Sequence, residues 1–235
     1  MTVIIKLGGS LLATGRELVQ FLSDYAIKNE LSLIIIPGGG PFVKIIKRLS
    51  EEMAISDDAA HWMAVLAMHQ YGFFLADGEI TIPVVESIDA EVDTDVEEEC
   101  SGNTGRICIV LPYKILKADD SLPHTWDVTS DTIAAFIADK LGEKSFIKLT
   151  DVDGILDEDE DGCECENGNV NLIEEIHAKE LIDKGITGCI DAELPRFLLL
   201  HNMSCLIVNG NVPERIIDVI NGRETETVCT RVISN

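Results

Sequence analysis

A three-layer α/β/α sandwich around a mostly parallel central sheet is the fold class this sequence predicts. Three observations predict it. Short apolar, β-branched runs alternate with helical periodicities from end to end of the 235 residues. Several of those runs are apolar at every position, the pattern of strands covered on both faces. Glycine-rich or Asp-Gly turns close the runs and lead into helical segments, as parallel connections require.

The elements follow in order. Val3–Leu7 reads as a buried strand, and Gly8-Gly9-Ser10 follows at once. From Arg16 to Asn29, Leu18, Phe21, Leu22 and Tyr25 recur at helical spacing. Leu33–Ile36 is a second buried strand, closed by Pro37-Gly38-Gly39-Gly40. The next helix carries Phe42, Val43, Ile45, Ile46 and Leu49 on its apolar side, and a third, about Asp57 to Leu75, is apolar nearly all round and expected to be deeply buried. Ile82–Val85 and Ile107–Leu111 read as strands, separated by an acidic loop at Asp89–Glu99. Thr129–Leu141 reads as a helix with Thr129 or Ser130 at its N-cap. The strand Phe146–Thr150 runs into Asp151-Val152-Asp153-Gly154 and a second acidic loop, Asp157–Glu166. Helices at Ala178–Lys184, Glu193–Asn202 and Glu214–Asn221 then flank strands at Cys205–Val208 and Thr227–Ile233. With no internal repeat, heptad or flexible linker, residues 1–235 read as one domain and the acidic loops as insertions.

Composition narrows the function. Apolar residues make up 46% of the chain, enough for a large core and against disorder as a whole. Lys and Arg total 18 against 42 Asp and Glu, a formal charge of −24. Such a surface repels nucleic acid and anionic membranes. It also repels nucleotides, so a phosphate site has to supply its own positive field. The N-terminus has no basic region followed by an apolar core, so no secretory leader is expected. No apolar run approaches the roughly 18 residues needed to span a bilayer. The seven cysteines are odd in number and scattered, which does not suit a disulfide framework and suits a reducing cytoplasm. Cys163-x-Cys165 has no second Cys or His pair near it in sequence, so no direct metal site is expected.

In open parallel sheets, ligands bind beyond the carboxyl ends of the strands. Three turns there are suited to phosphate. Lys6 brings a point charge to Gly8-Gly9-Ser10, whose glycines let backbone N–H groups approach an anion closely. Gly38-Gly39-Gly40 leads into a helix N-terminus, a natural anion seat. Thr150-Asp151-Val152-Asp153-Gly154 ends a third strand. Each alone is an ordinary tight or solvated turn; together they predict a phosphate site. Neither GxxxxGK[ST] nor a GxGxxG after a strand is present, which argues against P-loop enzymes and Rossmann dehydrogenases.

These motifs, with Ser130-Asp131-Thr132-Ile133-Ala134-Ala135 and Leu149–Ile155, resemble the amino-acid-kinase superfamily, in that family's order and over nearly the whole chain. The resemblance implies the amino-acid-kinase-like (carbamate-kinase-like) sandwich. It also implies an N-terminal acceptor-binding part, a C-terminal nucleotide-binding part, ATP with Mg²⁺ carried on it, and a homo-oligomer. Asp58–Ala64, Gln70-Tyr71-Gly72 and Leu122–Asp131 are similar to one branch, the archaeal kinases of methanofuran biosynthesis that convert a furan phosphate monoester to its diphosphate.

By that resemblance Lys6 bridges the β- and γ-phosphates, with Gly8, Gly9 and Ser10 donating to them. Asp131 holds catalytic lysines in place. Gly38, Gly39 and Gly40 flank the transferring group, and Thr150, Asp151, Asp153 and Gly154 border the nucleotide. Family members such as acetylglutamate kinase carry a second lysine in the segment that here reads Gly188–Glu193, and none stands there. Lys148 is the replacement expected, the competing reading being a strand-end lysine turned to solvent; Arg196 is a weaker candidate. For the acceptor, His61, Trp126, Asp127 and Thr129 are the expected contacts. Trp126 is expected to pack on the furan ring and Asp127 to pair with the aminomethyl cation, while Trp62 is read as a core aromatic. His61 and His124 are balanced between acceptor contact and structural hydrogen bonding. The alternatives are another small-acid or phosphate-monoester kinase (isopentenyl phosphate, UMP or acetylglutamate type) and a non-catalytic nucleotide- or oxyanion-binding protein.

Overall fold

The computed structural model describes residues 2–88, 107–157 and 171–234. The acidic loop Asp89–Glu99, most of Asp157–Glu166, and Cys163 with Cys165 lie outside the described residues.

The described strands are β1 (Thr2–Leu7), β2 (Ser32–Pro37), β3 (Val84–Val85), β4 (Ile107–Val110), β5 (Ser145–Thr150), β6 (Leu156–Asp157), β7 (Asn171–Leu172), β8 (Glu175–His177), β9 (Ser204–Asn209) and β10 (Thr230–Ile233). The helices are α1 (Gly15–Asn29), α2 (Gly40–Glu52), α3 (Asp57–Ala76), α4 (Tyr113–Ala118), α5 (Ser130–Lys140), α6 (Ala178–Lys184), α7 (Leu194–His201) and α8 (Pro213–Ile220). Eight strands form one sheet in the order β3-β4-β2-β1-β5-β9-β10-β8, and β6 pairs with β7 in a small separate ribbon. Neighbours in the large sheet run parallel except β9 and β10. The strands from β1 through β2 to β4 build outward in one direction, and β5 with β9 in the other. The order therefore reverses between β1 and β5, and open sheets place their ligand crevice at such a reversal.

Period-two alternation splits the core between the two faces of the sheet. Ile4, Ile34, Ile36 and Phe146 join Ile133, Ala134 and Ile137 of α5 on one face. Ile5, Leu7, Leu33 and Ile35 join Leu18 and Leu22 of α1 and Ile216 of α8 on the other. Each such Ile, Leu or Phe side chain, fully buried, contributes roughly 1.5–3 kcal/mol. Helix α3 is capped by Ser56, whose side chain accepts from Ala59 N. It contributes Val65 and Met68 to the first core and Tyr71 and Leu75 to the second.

Several expectations need correction. Leu66 and Phe73 of α3 are exposed, so its all-round apolarity is not matched by all-round burial. Ile82–Val85 shrinks to the two residues of β3, and Thr227–Ile233 to β10. Helix α4, β8 and the β6–β7 ribbon are too short to show a period in sequence. Among the described residues no helix is long and apolar enough to cross a membrane.

Candidate functional site

Lys6 occupies the next-to-last position of β1 and Lys148 stands opposite it in β5, the two being register partners. Alternation points Lys6 to the same face as Ile4, which α5 covers. Asp131 lies in the first turn of α5 and meets both lysines there. Its Oδ1 is 2.7 Å from Lys6 Nζ and 2.5 Å from Lys148 Nζ. All three residues are buried, at 5%, 3% and 4% exposure for Lys6, Lys148 and Asp131. Lys148 therefore points into the protein, which removes the solvent-facing alternative.

Two ammonium groups share one carboxylate, leaving a surplus positive charge inside a strongly acidic molecule. Burial lowers the pKa of Lys6, and Lys148 lowers it further; Asp131 only partly opposes this. Lys148 is desolvated too, but Asp131 outweighs that and holds it above the ordinary lysine value. Burial works against the Asp131 carboxylate, yet the two lysines more than compensate and keep it well below the usual carboxylate range.

The glycine turns meet beside this cluster. Gly8 N donates to Leu149 O at 2.9 Å and Gly38 N to Leu7 O at 2.8 Å, so the ends of β1, β2 and β5 are laced together. A Cβ on Gly9 would lie 2.6 Å from Gly40 Cα, and one on Gly38 would lie 2.9 Å from Gly9 N and 3.4 Å from Ser130 Oγ. Gly40 has φ +56° and packs on the Tyr71 ring, a conformation that glycine adopts without strain. Tyr71 is fully buried and its hydroxyl donates to Gly8 O at 3.3 Å. Gly8, Gly9, Gly38, Gly39 and Gly40 thus converge at the N-terminus of α2, whose first N–H groups favour an anion, beside the start of α5, where Asp131 N and Thr132 N are already held by Thr129 Oγ1 and Asp191.

The turn after β5 is more self-contained. The exposed Ser10 hydrogen-bonds Asp151, as does Thr150 Oγ1 at 3.2 Å. These contacts, Ser10 foremost, hold the Asp151 carboxyl below its ordinary value. Asp153 accepts from Asn209 Nδ2 at 2.9 Å and Arg215 Nη1 at 2.6 Å. Gly154 has φ +151°, and a Cβ there would meet Thr230 Oγ1 at 2.3 Å, so its glycine serves the packing against β10.

A cavity of about 200 Å³ opens from Gly39 along α2 and α3 and is closed by residues 125–133. Val43, Ala60, Ala64, Val65, Met68 and Ile133 make its apolar wall. His61, Trp126 and Thr129, the residues expected to contact the acceptor, line it. Thr129 is also the N-cap of α5, and its hydroxyl donates to Asp191 Oδ2 at 2.8 Å. Asp127 does not line the cavity. The turn at 125–128 is closed by Val128 N donating to Thr125 O at 3.2 Å, and it sends Asp127 to solvent while Trp126 faces inward. Pairing of Asp127 with an acceptor in this cavity therefore has no geometric basis.

The sequence reading missed Lys44, Lys47 and Asp57, which line the same cavity. The lysines sit three apart on α2, where only the apolar side of the helix drew attention. Asp57 looked like a helix-start residue and nothing more. His124 does not reach the cavity. Its Nδ1 is 2.6 Å from Asp58 Oδ1 and its Nε2 2.8 Å from Asp120 Oδ1, and its ring stacks on His61 with centroids 4.0 Å apart. Burial first, then His124, pushes the His61 pKa down to about 4, so that ring is neutral at physiological pH. Trp62 is half-buried, packs against the core edge-on to both histidines, and carries Lys117 over its face at 3.4 Å.

Asp191 was also missed. It lies in the Gly188–Glu193 segment and accepts hydrogen bonds from Thr129 N, Thr129 Oγ1, Thr132 N, Thr132 Oγ1 and Leu194 N, at 2.6–3.0 Å. It fixes the start of α5, and with it Asp131. Arg196 pairs with Glu193 on the exposed side of α7 and does not join the lysine cluster.

A family model described as the amino acid kinase family matches residues 1–209. The [5-(aminomethyl)furan-3-yl]methyl phosphate kinase of Methanocaldococcus jannaschii is 32% identical over 232 residues, 98% of this chain and 97% of that protein. A uridylate kinase of Methanobrevibacter smithii is 26% identical over 253 residues and covers all of both chains. Among solved structures, a UMP kinase from Bacillus anthracis superposes with a TM-score of 0.70 at 17% identity, covering 100% of this chain and 96% of that one.

Proposed function

The chain belongs to the amino acid kinase family, and from that premise we propose that it transfers the γ-phosphoryl group of MgATP to [5-(aminomethyl)furan-3-yl]methyl phosphate, forming the diphosphate. The observation that carries this reading is the buried Lys6–Asp131–Lys148 cluster, with its surplus positive charge, beside a mostly apolar cavity.

Phosphoryl transfer asks for alignment and charge neutralisation more than for covalent help. Here two anions have to meet. Each pair of unit charges at about 4 Å repels by about 4 kcal/mol at an effective dielectric near 20. Lys6 and Lys148 supply fixed positive charge between them, and Asp131 holds both ammonium groups in one place. Backbone N–H groups at Gly9, Gly39 and Gly40 add donors that need no reorganisation, whereas those of Gly8 and Gly38 are taken by Leu149 O and Leu7 O and serve to shape the turns. Mg²⁺ arrives on the nucleotide and spreads charge over its phosphate oxygens. An acceptor phosphate oxygen, already ionised, attacks the γ-phosphorus in line while the bond to the ADP oxygen breaks, so no general base is called for.

In this arrangement β1, α2 and α3 hold the acceptor, and the segments from β5 onward hold the nucleotide, with Thr150, Asp151, Asp153 and Gly154 along its border. Trp126 and the apolar wall of the cavity suit a flat ring. Lys44, one turn along α2 from Gly40, suits the acceptor's phosphate.

ADP release with a panel of acceptors tests the reading: the furan phosphate, UMP, isopentenyl phosphate and acetylglutamate. Selective turnover of the furan phosphate is the expected result. Preference for UMP would assign the chain to the other group of full-length relatives, and turnover of none would overturn the kinase reading.

A further inference from the structure

The cavity has walls of opposite sign. Lys44 and Lys47 line it from α2, and Asp57 and His61 line it from α3. Asp57 and His61 are four residues apart, on one face of the helix and about 6 Å along its axis. Among the described residues Asp57 is the only carboxylate that lines the cavity, and it has no cationic partner. His61 is only 8% exposed, yet its ring nitrogens have no hydrogen-bond partner among the described residues. Among the described residues no fully enclosed side-chain polar atom lacks a partner, so the unpaired edge of His61 is not sealed off, and the residue lines the cavity. An imidazole edge that reaches the cavity with no protein partner is available to a ligand, as donor or acceptor.

We infer that Asp57 and His61 form the seat for the acceptor's ammonium group, the carboxylate supplying charge and the imidazole accepting an N–H hydrogen bond. This rests on the function proposed above and replaces the Asp127 pairing that the geometry denies. It adds the orientation of that acceptor: the primary amine lies against α3 and the phosphate monoester against the lysines of α2. Three features fit together. The imidazole is neutral, so it does not repel an ammonium group, and His124, held by Asp58 and Asp120, fixes its ring from behind. The lysines opposite suit the anionic end of such a molecule and disfavour binding it in reverse.

The test compares two acceptors, the aminomethyl furan phosphate and its methyl analogue, with wild-type protein, Asp57→Asn and His61→Phe. Binding is measured calorimetrically without nucleotide, and kcat and KM are measured with it. A hydrogen-bonded charge contact is worth about 1.5–3 kcal/mol, so Asp57→Asn is expected to weaken binding of the amine acceptor by about tenfold or more. The methyl analogue and the KM for ATP are expected to stay unchanged, and His61→Phe to erode the same preference. Asp57→Glu keeps the charge and serves as a folded control expected to retain most of the selectivity.

Undiminished preference for the amine in Asp57→Asn would overturn this assignment while leaving the kinase reading intact. So would a wild-type protein that uses both furan phosphates equally. Turnover of UMP with neither furan phosphate would overturn both.

Discussion

Lys6 and Lys148 face each other across β1 and β5, and both ammonium groups end on one oxygen, Oδ1 of Asp131. The carboxylate needs only one of them for balance, so either can be removed without stranding a buried charge. Lys6→Met and Lys148→Met are each expected to lower kcat by about 10²–10³-fold, the cost of one preorganised charge at the reacting centre. Thermal midpoints are expected to hold or rise. A steady-state ADP assay beside thermal denaturation checks both halves, and undiminished turnover in Lys6→Met would sink the mechanism.

The reverse substitution behaves differently. Asp131→Asn leaves two buried ammonium groups facing each other with no counter-charge, a defect that costs about 3–5 kcal/mol. The sign with pH follows from the depressed Asp131 pKa. Its contribution is fully present above the ordinary carboxylate range and is lost as pH falls through the lower folded value. Urea midpoints at neutral pH are therefore expected to fall sharply in the variant. The gap from wild type should close in strong acid.

Asp191 acts one step back from the chemistry. It accepts from both ends of the first turn of α5 and from the start of α7. Asp191→Ala leaves buried donors unpaired, at about 1–3 kcal/mol for each group that water cannot reach. Both stability and kcat are expected to drop, because the turn that carries Asp131 loses its anchor. Asp191→Asn keeps an acceptor and is expected to recover part of each. Equal loss in the two variants would contradict this anchoring role, and so would a stable Asp191→Ala with wild-type kcat.

Some of this was legible in the chain and some was not, for physical reasons. Strand-end glycines announce themselves because close backbone approach excludes a side chain, as the 2.6 Å approach of Gly9 to Gly40 illustrates. Lys6 was readable from the same turn. Lys148 was ambiguous, since its destination depends on which face of β5 it shares; it falls with Phe146, on the face α5 covers. Asp191 lies 62 residues from Thr129, and no local pattern signals such a contact. Likewise the stacking of His61 on His124 joins α3 to a distant loop. Trp126 lines the cavity and Asp127 does not, because adjacency in a turn does not imply a shared direction. Asp57 is hard to single out because a carboxylate in a first helical turn is ordinarily solvated, and the α2 lysines because only the apolar side of that helix carries a pattern.

The opposed shifts of the two lysines give the reaction a pH signature. In the free protein the Lys6 pKa lies below its ordinary 10.5, mainly through burial, while that of Lys148 lies above. As pH rises, Lys6 is therefore the first of the pair to lose its proton, and the charge facing the γ-phosphate is lost with it. The profile of kcat/KM, which reports the free enzyme, is expected to show an alkaline limb below 10.5. Stability moves the other way over that interval. Between the folded and unfolded pKa of Lys6, the unfolded chain holds more protons, so this group makes folding more favourable as pH increases. The Lys148 contribution is fully present below its unfolded pKa and fades only above it. Lys6→Arg provides the check, because a guanidinium stays protonated throughout this range. The variant is expected to keep weak activity without the alkaline limb. An unchanged limb in Lys6→Arg would assign the titration to another group.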